Sequence, residues 1–357
     1  MKQISIKPVW TIEDPGGPSL PPRLLELLVQ VHGQGSLLAA AQALGLSYRH
    51  AWDTIRQGEA QFGAGLLHME RGKGSTLSLL GEKLVWADHR IAARLKPTLD
   101  SLASELAAEI RVAISAEPAV LRLHASHGFA IEQLIDRLAR DGFRIEHRYD
   151  NSSAAAAALH DGDCDLAGLH VPLGSMQQPA LAHYARWLAG DELTLIDIAR
   201  RRQGLMVAPG NPKKIYELAD LARPGLRFVN RQPGSGTRFL LEGLLRAQGI
   251  EPGGVAGFET GESTHAAVAA CVASGLADLG FGVAPPAQRF GLDFVPIASE
   301  RYFLLCRSAQ LESPAIRRVI EALADPVLRA ALDALPGYDA TDAGRLTPWE
   351  RAFAPTA

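Results

Sequence analysis

Residues 36–55, SLLAAAQALGLSYRHAWDTI, contain two helical patterns joined by a three-residue turn that includes a glycine. Ser36 and Ser47 can cap the two helices, because a serine hydroxyl accepts a hydrogen bond from a first-turn amide. Gly45 can end the first helix in the left-handed conformation. Two helices connected in this way are typical of a helix-turn-helix, whose second helix would begin at Tyr48 and end near Phe62.

The flanking sequence predicts the winged form of this motif. An amphipathic helix precedes it at residues 22–33, and the stretch ERGKGSTLSL (70–79) follows as a basic turn with glycines between short apolar runs. Such a turn predicts a β-hairpin. We therefore expect an N-terminal winged helix-turn-helix over residues 1–80, all-α apart from the wing.

The second helix of the pair is expected to lie in the major groove of double-stranded operator DNA, where polar side chains reach base edges and phosphates. Wing residues would contact phosphates rather than specify sequence. The alternative is that these positions are ordinary solvated residues. The predicted DNA-contacting residues are Ser36, Ser47, Tyr48, Arg49, His50, Asp53, Arg56, Arg71, Lys73 and Ser75.

Composition limits the remaining possibilities. The 36 basic and 39 acidic residues give a net charge of −3, which excludes a globally basic nucleic-acid coat, so any DNA contact must be local. Three cysteines without a CxxC pair argue against a disulfide scaffold or a thiolate zinc site, and no metal or cofactor is expected. Without an export signal or an apolar run of about 18 residues, a cytoplasmic protein with no membrane contact is expected.

Residues 81–112 predict a long linker helix with an apolar face. Pro97 is expected to kink or interrupt this helix. The face has nothing local to cover it, so we expect pairing with a second copy to give a homodimer or homotetramer. The alternative is packing onto its own domain. The apolar positions are Leu84, Val85, Ile91, Leu95, Leu99, Leu102 and Leu106.

From residue 113 to 357, short apolar strands alternate with helical segments, which predicts a C-terminal α/β domain with parallel sheets. Two half-domains would make a bilobed binding-protein fold with its ligand in the cleft. The second lobe would span about residues 205–283. The crossing strands are expected near GLMVAPG (204–210) and LGFGV (279–283).

The stretch FVNRQPGSGTRFLLEGLL (228–245) predicts an anion site, because a strand end, a glycine turn and a helix N-terminus present free amides and a positive dipole end. Equivalent helix starts in the facing lobe would complete a clamp. The alternative is a capped helix without a ligand. The predicted ligand-binding residues are Ser126, His127, Gly128, Asn151, Ser152, His170, Arg231, Ser235, Gly236, Thr237, Arg238, Thr264 and His265.

Other features of the sequence say less about the function. GSGTR lacks the Lys-Ser/Thr of a Walker loop, which disfavours nucleotide hydrolysis. The basic run ARRRQ (199–203) is either a solvated turn or a means of drawing anions to the cleft.

An enzyme would need an acid–base pair in the cleft, which only Glu262 and His265 offer. Cys271 lies in an Ala-rich helix, which indicates a core position, and no catalytic residue is expected.

The stretches GSLLAAAQALGLSYRHAWDTIRQGEAQFG (35–63) and ERGKGSTLSLLGEKL (70–84) resemble the N-terminal domain of molybdate-dependent, ModE-type transcriptional regulators, which is also similar to LysR-type winged helices. The C-terminal part departs from ModE proteins. Residues 228–245, 262–283 and 291–305 instead resemble a type 2 periplasmic-binding-protein-like domain.

These resemblances imply a DNA-binding transcriptional regulator with a small-anion effector, molybdate or tungstate first. Formate or another small carboxylate is the alternative, and sulfate and phosphate would equally suit amides, hydroxyls, arginine and histidine. Less expected is an enzyme or molybdenum-cofactor-handling protein.

Overall fold

The computed structural model describes residues 4–13, 19–70, 74–114, 121–143, 145–190 and 192–353. The chain divides into two compact units, residues 7–95 and the remainder. The division falls within one long helix. Within the described ranges, the helices are either too short or too polar to cross a membrane.

The smaller unit is a winged helix-turn-helix, as the sequence predicts. Its elements are α1 (Leu24–Gln34), α2 (Leu37–Ala43), α3 (Tyr48–Phe62), β1 (Leu67–Glu70), β2 (Gly74–Leu77) and the start of α4 (Leu79–Ile114). The Ser36 and Ser47 hydroxyls accept hydrogen bonds from the amides of Ala39 (3.4 Å) and His50 (3.1 Å). The predicted caps and the antiparallel wing are therefore confirmed.

Pro97 was expected to kink or interrupt helix α4, and the helix is continuous over 36 residues, so the interruption does not occur. Leu84 and Val85 are buried in the core of the smaller unit. Further along, Leu95, Leu102 and Leu106 are between 41% and 48% exposed. Of the predicted apolar positions, Leu84 and Val85 thus pack onto their own unit, whereas Leu95, Leu102 and Leu106 are exposed as far as the described residues show.

The larger unit is built on a ten-stranded sheet with the order β4-β3-β5-β10-β6-β9-β7-β8, and β11 and β12 add to β6. The elements are β3 (Leu121–Ala125), α5 (Phe129–Arg140), β4 (Ile145–Tyr149), α6 (Ser152–Asp161), β5 (Leu166–Pro172), α7 (Gln177–Leu188), β6 (Leu193–Val207), β7 (Phe228–Arg231), α8 (Gly236–Ala247), β8 (Gly261–Glu262), α9 (His265–Ala273), β9 (Leu279–Val283), α10 (Ala284–Arg289), β10 (Asp293–Arg307), α11 (Pro314–Ala324), α12 (Pro326–Asp333), β11 (Tyr338–Asp339), β12 (Leu346–Pro348) and α13 (Trp349–Ala352).

Strands β6 and β10 cross between the two lobes. They pair antiparallel over their full lengths, β5 joins β10 in the first lobe, and β9 joins β6 in the second. The expectation that residues 279–283 cross is wrong, because β9 pairs only with β6 and β7 inside the second lobe. That lobe also includes α10 and the first part of β10.

The basic run at residues 199–203 lies inside β6, so the solvated-turn alternative is wrong. Arg200 and Arg202 are exposed, whereas Arg201 and Gln203 are buried, which is the alternation of a strand. Three consecutive arginines obscured this strand in the sequence.

Helix α4 covers the open edge of the sheet at β4. The amides of His147 and Tyr149 donate to the hydroxyls of Ser104 (2.9 Å) and Ser101 (3.0 Å). The end of the helix therefore belongs structurally to the first lobe.

Candidate functional site

A buried polar cluster lies where the crossing strands pass between the lobes. Arg201 on β6 and Glu300 on β10 are opposite each other and form an ion pair in which both side chains are at most 4% exposed. Gln203 Nε2 donates to Glu300 Oε2 (3.0 Å) and to Thr237 Oγ1 (3.2 Å), which links the pair to the start of α8. Across the cleft, a β-carbon at Gly128 would lie 3.6 Å from Arg201 Nη1, so Arg201 lies against the start of α5.

His170, at the end of β5, faces this cluster. Its ring stacks on Tyr302 with centroids 3.9 Å apart, and Arg201 lies 5.3 Å from the same tyrosine ring. Its Nδ1 lies 3.4 Å from Ser152 Oγ, while Nε2 is buried and has no hydrogen-bond partner among the described residues. Burial, together with the charges of Arg201 and Arg231, lowers the pKa of His170 well below its usual value. The imidazole is therefore neutral at neutral pH.

His265, the first residue of α9, is the second buried imidazole. A β-carbon at Gly282 would lie 2.7 Å from its Nδ1, so only glycine at that position leaves room for the ring. Nδ1 has no hydrogen-bond partner within the described ranges. Burial lowers the pKa of His265 well below its usual value, and the charges of Arg231 and Arg201 lower it further.

Arg231, at the end of β7, supplies positive charge to the cleft. It donates to the backbone carbonyls of Glu262 (3.3 Å) and Ser263 (2.9 Å). Desolvation, followed by repulsion from Arg201, lowers the pKa of Arg231 to about 10. Arg201 is neutralised by Glu300 and the two histidines are neutral, so these groups together carry one net positive charge. A buried net charge favours binding of an anion.

A cavity of about 230 Å³ adjoins this cluster between the lobes. Its walls include Ser152 and Ser153 at the start of α6 and Ser235 and Gly236 at the start of α8. Each of these helices has first-turn amides without intrahelical acceptors, which together form a positive environment. The starts of α6 and α8 therefore line one cavity, and their role as a clamp for an anion stays a prediction.

The structure places some predicted ligand residues in other roles. Asn151 Oδ1 accepts from the Ala154 amide (2.9 Å), and the Ser235 and Thr264 side chains cap α8 and α9. The His127 imidazole is turned toward Glu132, with Nε2 and Oε1 3.1 Å apart. Ser126 offers its carbonyl, which accepts from the Tyr302 hydroxyl (3.5 Å). Arg231, His170 and His265 form the buried polar cluster beside the cavity.

Arg238 is mostly engaged within its own lobe. Its Nε donates to Glu242 Oε1 (3.0 Å) and its Nη2 donates to both carboxylate oxygens of Glu259 (2.9 and 2.8 Å). Nη1 alone is buried without a hydrogen-bond partner in the described part of the chain.

The sequence predicted no site role for Glu300 and Tyr302, and it placed Arg201 and Gln203 only in a basic run that was either a solvated turn or a means of drawing anions to the cleft. The sequence shows only that charged residues interrupt two long apolar segments, residues 193–207 and 293–307. Only the pairing of the strands shows that these residues meet.

The candidate DNA interface is on α3, where Tyr48, Arg49, His50, Asp53 and Arg56 are all exposed. Arg56 also pairs with Glu59 (3.3 Å) on its own helix. Arg71 and Lys73 lie outside the described residues.

Ser75 was predicted to contact DNA, and its position in the structure does not fit that role. Its side chain is buried, and its hydroxyl accepts the Leu37 amide (3.3 Å), so it fixes the wing to α2 and is not exposed to DNA.

Fold and site together define a bilobed ligand-binding domain attached to a winged helix-turn-helix. Residues 135–324 match the PBP superfamily domain, and the chain belongs to that superfamily. Residues 22–82 match the bacterial regulatory helix-turn-helix protein family of lysR type.

The chain is similar to the uncharacterized protein YvgK of Bacillus subtilis, with 33% identity over 201 residues, 56% of this chain and 64% of YvgK. It is also 30% identical over 112 residues to an uncharacterized protein encoded in the 5′ region of a ferredoxin gene of Clostridium pasteurianum. That match covers 30% of this chain and 96% of the Clostridium protein.

The chain is also similar to the solved structure of CbnR, a LysR family transcriptional regulator. The identity is 18% and the TM-score 0.40, over 84% of this chain and 98% of CbnR. Full-length LysG from Corynebacterium glutamicum matches at 17% identity and a TM-score of 0.41, over 88% of this chain and 98% of LysG.

Proposed function

We propose that this chain is a transcriptional regulator that binds operator DNA through its winged helix-turn-helix and a small anion in the cleft of its PBP domain. The observation that carries the proposal is Arg231, a desolvated guanidinium that donates to backbone carbonyls and lies among two neutral histidines and facing helix starts. An anion in the cleft would compensate this charge. The proposal places the protein in the cytoplasm, where operator DNA is.

Molybdate or tungstate is the first candidate effector, on the resemblance of residues 35–84 to molybdate-dependent regulators. A tetrahedral oxyanion would accept hydrogen bonds from the amides, hydroxyls and guanidinium that converge on the cleft.

Formate or another small carboxylate is the second candidate, and the net charge of the cluster favours it. While both histidines are neutral, one monoanion neutralises the single positive charge left after Arg201 pairs with Glu300, whereas a dianion would also require a histidine to take up a proton.

The proposal includes no catalysis. An acid–base pair would need the Glu262 carboxylate, and its Oε1 is the acceptor for the Cys271 thiol at 3.2 Å. Binding of an anion acts instead by favouring one arrangement of the lobes, to an extent set by its differential affinity for the two arrangements.

The proposal also includes a homodimer or homotetramer. The exposed leucines of α4 recur at helical spacing on one face of the helix, which suits pairing with a second copy. A palindromic operator has two half-sites roughly 34 Å apart, so two recognition helices, one from each copy of the chain, are needed to contact both.

A thermal-shift panel tests the anion site, with molybdate, tungstate, sulfate, phosphate, formate and oxalate. A ligand at 100 times its Kd stabilises the folded chain by about 2.7 kcal/mol. We expect a selective shift that Arg231→Gln abolishes. The control is Arg227→Gln, which removes a 58% exposed arginine paired with Asp278. Shifts that are equal in both variants, or no shift with any anion, would contradict the proposal.

A further inference from the structure

We infer that the chain has a second binding site, for a divalent transition-metal cation such as Zn²⁺, between helices α4 and α5. Its ligands are Asp100, His127 and Glu132. The site goes beyond the proposed function, because it includes neither Arg231 nor the two buried histidines of the cleft and requires no anion. The inference rests on the donor atoms, on the cationic side chain that lies among them and on the cavity beside them.

Two carboxylates and one imidazole converge at this point, and their ligand atoms all lie within 4.8 Å of one another. His127 Nε2 and Glu132 Oε1 are 3.1 Å apart. Two ligands of one metal ion, each about 2.1 Å from it and at an angle of roughly 90–110°, are separated by about 3.0–3.4 Å. The distance between these two atoms is therefore already that of neighbouring ligands on one ion.

A cationic group lies among the carboxylates. Lys96 Nζ is 2.5 Å from Asp100 Oδ2 and 3.0 Å from Glu132 Oε1. One ammonium carries half the charge of two carboxylates, whereas a divalent cation matches both. Because the Lys96 side chain is long and 48% exposed, it can turn into solvent when a metal ion binds. Lys96 thus marks the position of the cation and competes for it.

The three ligands are shielded from solvent more than surface carboxylates are. The side chains of His127 and Glu132 are 18% and 25% exposed, and that of Asp100 is 31% exposed. Partial burial weakens the screening of their charge by water and salt, so a divalent cation is held more strongly here than at the open surface.

A cavity of about 460 Å³ between α4, α5 and β4 gives access to this point, and Lys96, Asp100 and Glu132 are in its wall. Three protein ligands leave at least one coordination position for water, which the cavity can supply. His147 also lines the cavity, and its Nδ1 is buried without a hydrogen-bond partner among the described residues. A water molecule on the ion would offer a donor to such an atom.

The donor set favours a first-row transition metal. Imidazole nitrogen with carboxylate oxygen suits Zn²⁺ and its neighbours, whereas Mg²⁺ and Ca²⁺ prefer oxygen ligands alone. The sequence shows no short motif for this site, because Asp100 lies on α4 while His127 and Glu132 lie at the start of α5. A bound ion would join the two helices by metal–ligand bonds in place of the Lys96 ion pairs.

Calorimetric titration of the full chain, treated first with a chelator, tests the inference with Zn²⁺, Mn²⁺ and Mg²⁺. We expect one Zn²⁺ per chain, weaker binding of Mn²⁺, and Mg²⁺ at least about a hundredfold weaker than Zn²⁺. Glu132→Gln and His127→Gln should each weaken Zn²⁺ binding at least about tenfold. Lys96→Met should strengthen it several-fold, because the competing ammonium is removed. Zn²⁺ held by surface histidines would not respond in this direction.

Asp136→Asn is the matched control, because Asp136 is exposed on α5 and lines the same cavity but is outside the ligand set. It should change the Kd of Zn²⁺ by no more than about twofold. Circular dichroism checks that each variant folds, and Lys96→Met keeps every ligand in place.

An adventitious ion only, with the same Kd in the unaltered chain, Glu132→Gln and Lys96→Met, would show that the inference is wrong. Absence of Zn²⁺ binding in both the unaltered chain and Lys96→Met would do the same. The anion panel on chelator-treated protein reports on Arg231 separately, so either site can fail while the other stands.

Discussion

Arg201 and Glu300 are register partners on the two crossing strands, and their buried ion pair lies where the chain passes between the lobes. Gln203 donates to the same glutamate, so a single carboxylate organises both a guanidinium and an amide. This carboxylate thereby controls the stability of the crossing region and the charge of the cleft.

Glu300→Gln should lower the free energy of unfolding by about 3 kcal/mol, because it leaves the Arg201 charge buried without a carboxylate. Urea denaturation measures this loss. The matched control is Glu312→Gln, since Glu312 is 85% exposed and pairs with Arg317 at the surface. That variant should change stability by no more than about 0.5 kcal/mol. Equal losses in the two variants would show that the buried pair has no special role.

The neutral histidines predict the pH dependence of stability. The pKa values of His170 and His265 are lowered in the folded state, so the unfolded chain binds more protons as pH falls. Without a ligand, the free energy of unfolding should be at its highest above about pH 6.5, the ordinary histidine pKa, and should decrease below that pH. Unfolding of the double variant His170→Gln, His265→Gln should lose most of this dependence, and a dependence that persists would contradict the assignment.

Anion binding should be linked to proton uptake. A bound anion near His170 and His265 favours their charged forms, and both pKa values lie well below 6.5 without a ligand, so affinity should rise as pH falls below about 6.5, by at most about tenfold per pH unit for each proton. Calorimetry in buffers of different ionisation enthalpy measures the protons taken up. Proton release on binding would exclude this arrangement of neutral imidazoles.

A second charged cluster connects α4 to the first lobe. Lys96 Nζ contacts Asp100 (2.5 Å) and Glu132 (3.0 Å), and Glu132 also contacts His127. Burial alone would raise the pKa of Glu132, but the hydrogen bond and charge of His127, with those of Lys96, lower it to about 2.

Glu132→Gln should therefore destabilise the chain by about 1–2 kcal/mol above pH 5. The difference from the unaltered chain should shrink as pH falls from about 4.5 toward 2, because Glu132 contributes stability only while it is ionised. Urea unfolding at several pH values measures this. Glu109→Gln, an exposed change on the same helix, serves as the reference and should show no comparable difference.

The helix-turn-helix unit offers a pair of variants with opposite effects. Arg49→Ala changes an exposed residue and should weaken operator binding about tenfold with stability nearly unchanged. Ser75→Ala should lower stability by about 1–2 kcal/mol, because the Leu37 amide loses its buried acceptor. Gel-shift titrations and denaturation separate the two. A stability loss in the first variant without weaker binding would refute the predicted contact.

Association through α4 can be tested by charge. Leu102→Lys places a cation in the exposed apolar face and should convert the assembly to monomers in analytical ultracentrifugation. Leu79→Lys changes a more exposed leucine, 71% accessible, on a different face of the same helix and should leave the assembly intact. A dimer that survives the first change would show that another surface mediates association.

Features that depend on near neighbours in the chain could be predicted from sequence. The caps at Ser36 and Ser47 each use a hydroxyl and an amide three residues later, so the pattern is visible in a short stretch. The wing hairpin is local in the same way. Helix starts in the cleft, such as Gly236 and His265, were correctly located for this reason.

The centre of the cleft could not be predicted in the same way. Arg201 and Glu300 are separated by 99 residues, and each looks like a surface charge until the other neutralises it. His170 and His265 become neutral only because distant arginines and burial act together. Pairings between remote segments determine these properties, and one sequence does not display them.

The hydroxyls of Ser101 and Ser104 have a consequence for solubility. They occupy the amides of Tyr149 and His147 on the outermost strand of the large sheet. A fragment beginning at residue 113 would leave those amides unsatisfied and the strand open to addition by another molecule. Such a fragment should aggregate edge to edge, whereas one beginning before residue 96 keeps its own shield. The helix that links the two units thus also protects the larger one against self-association.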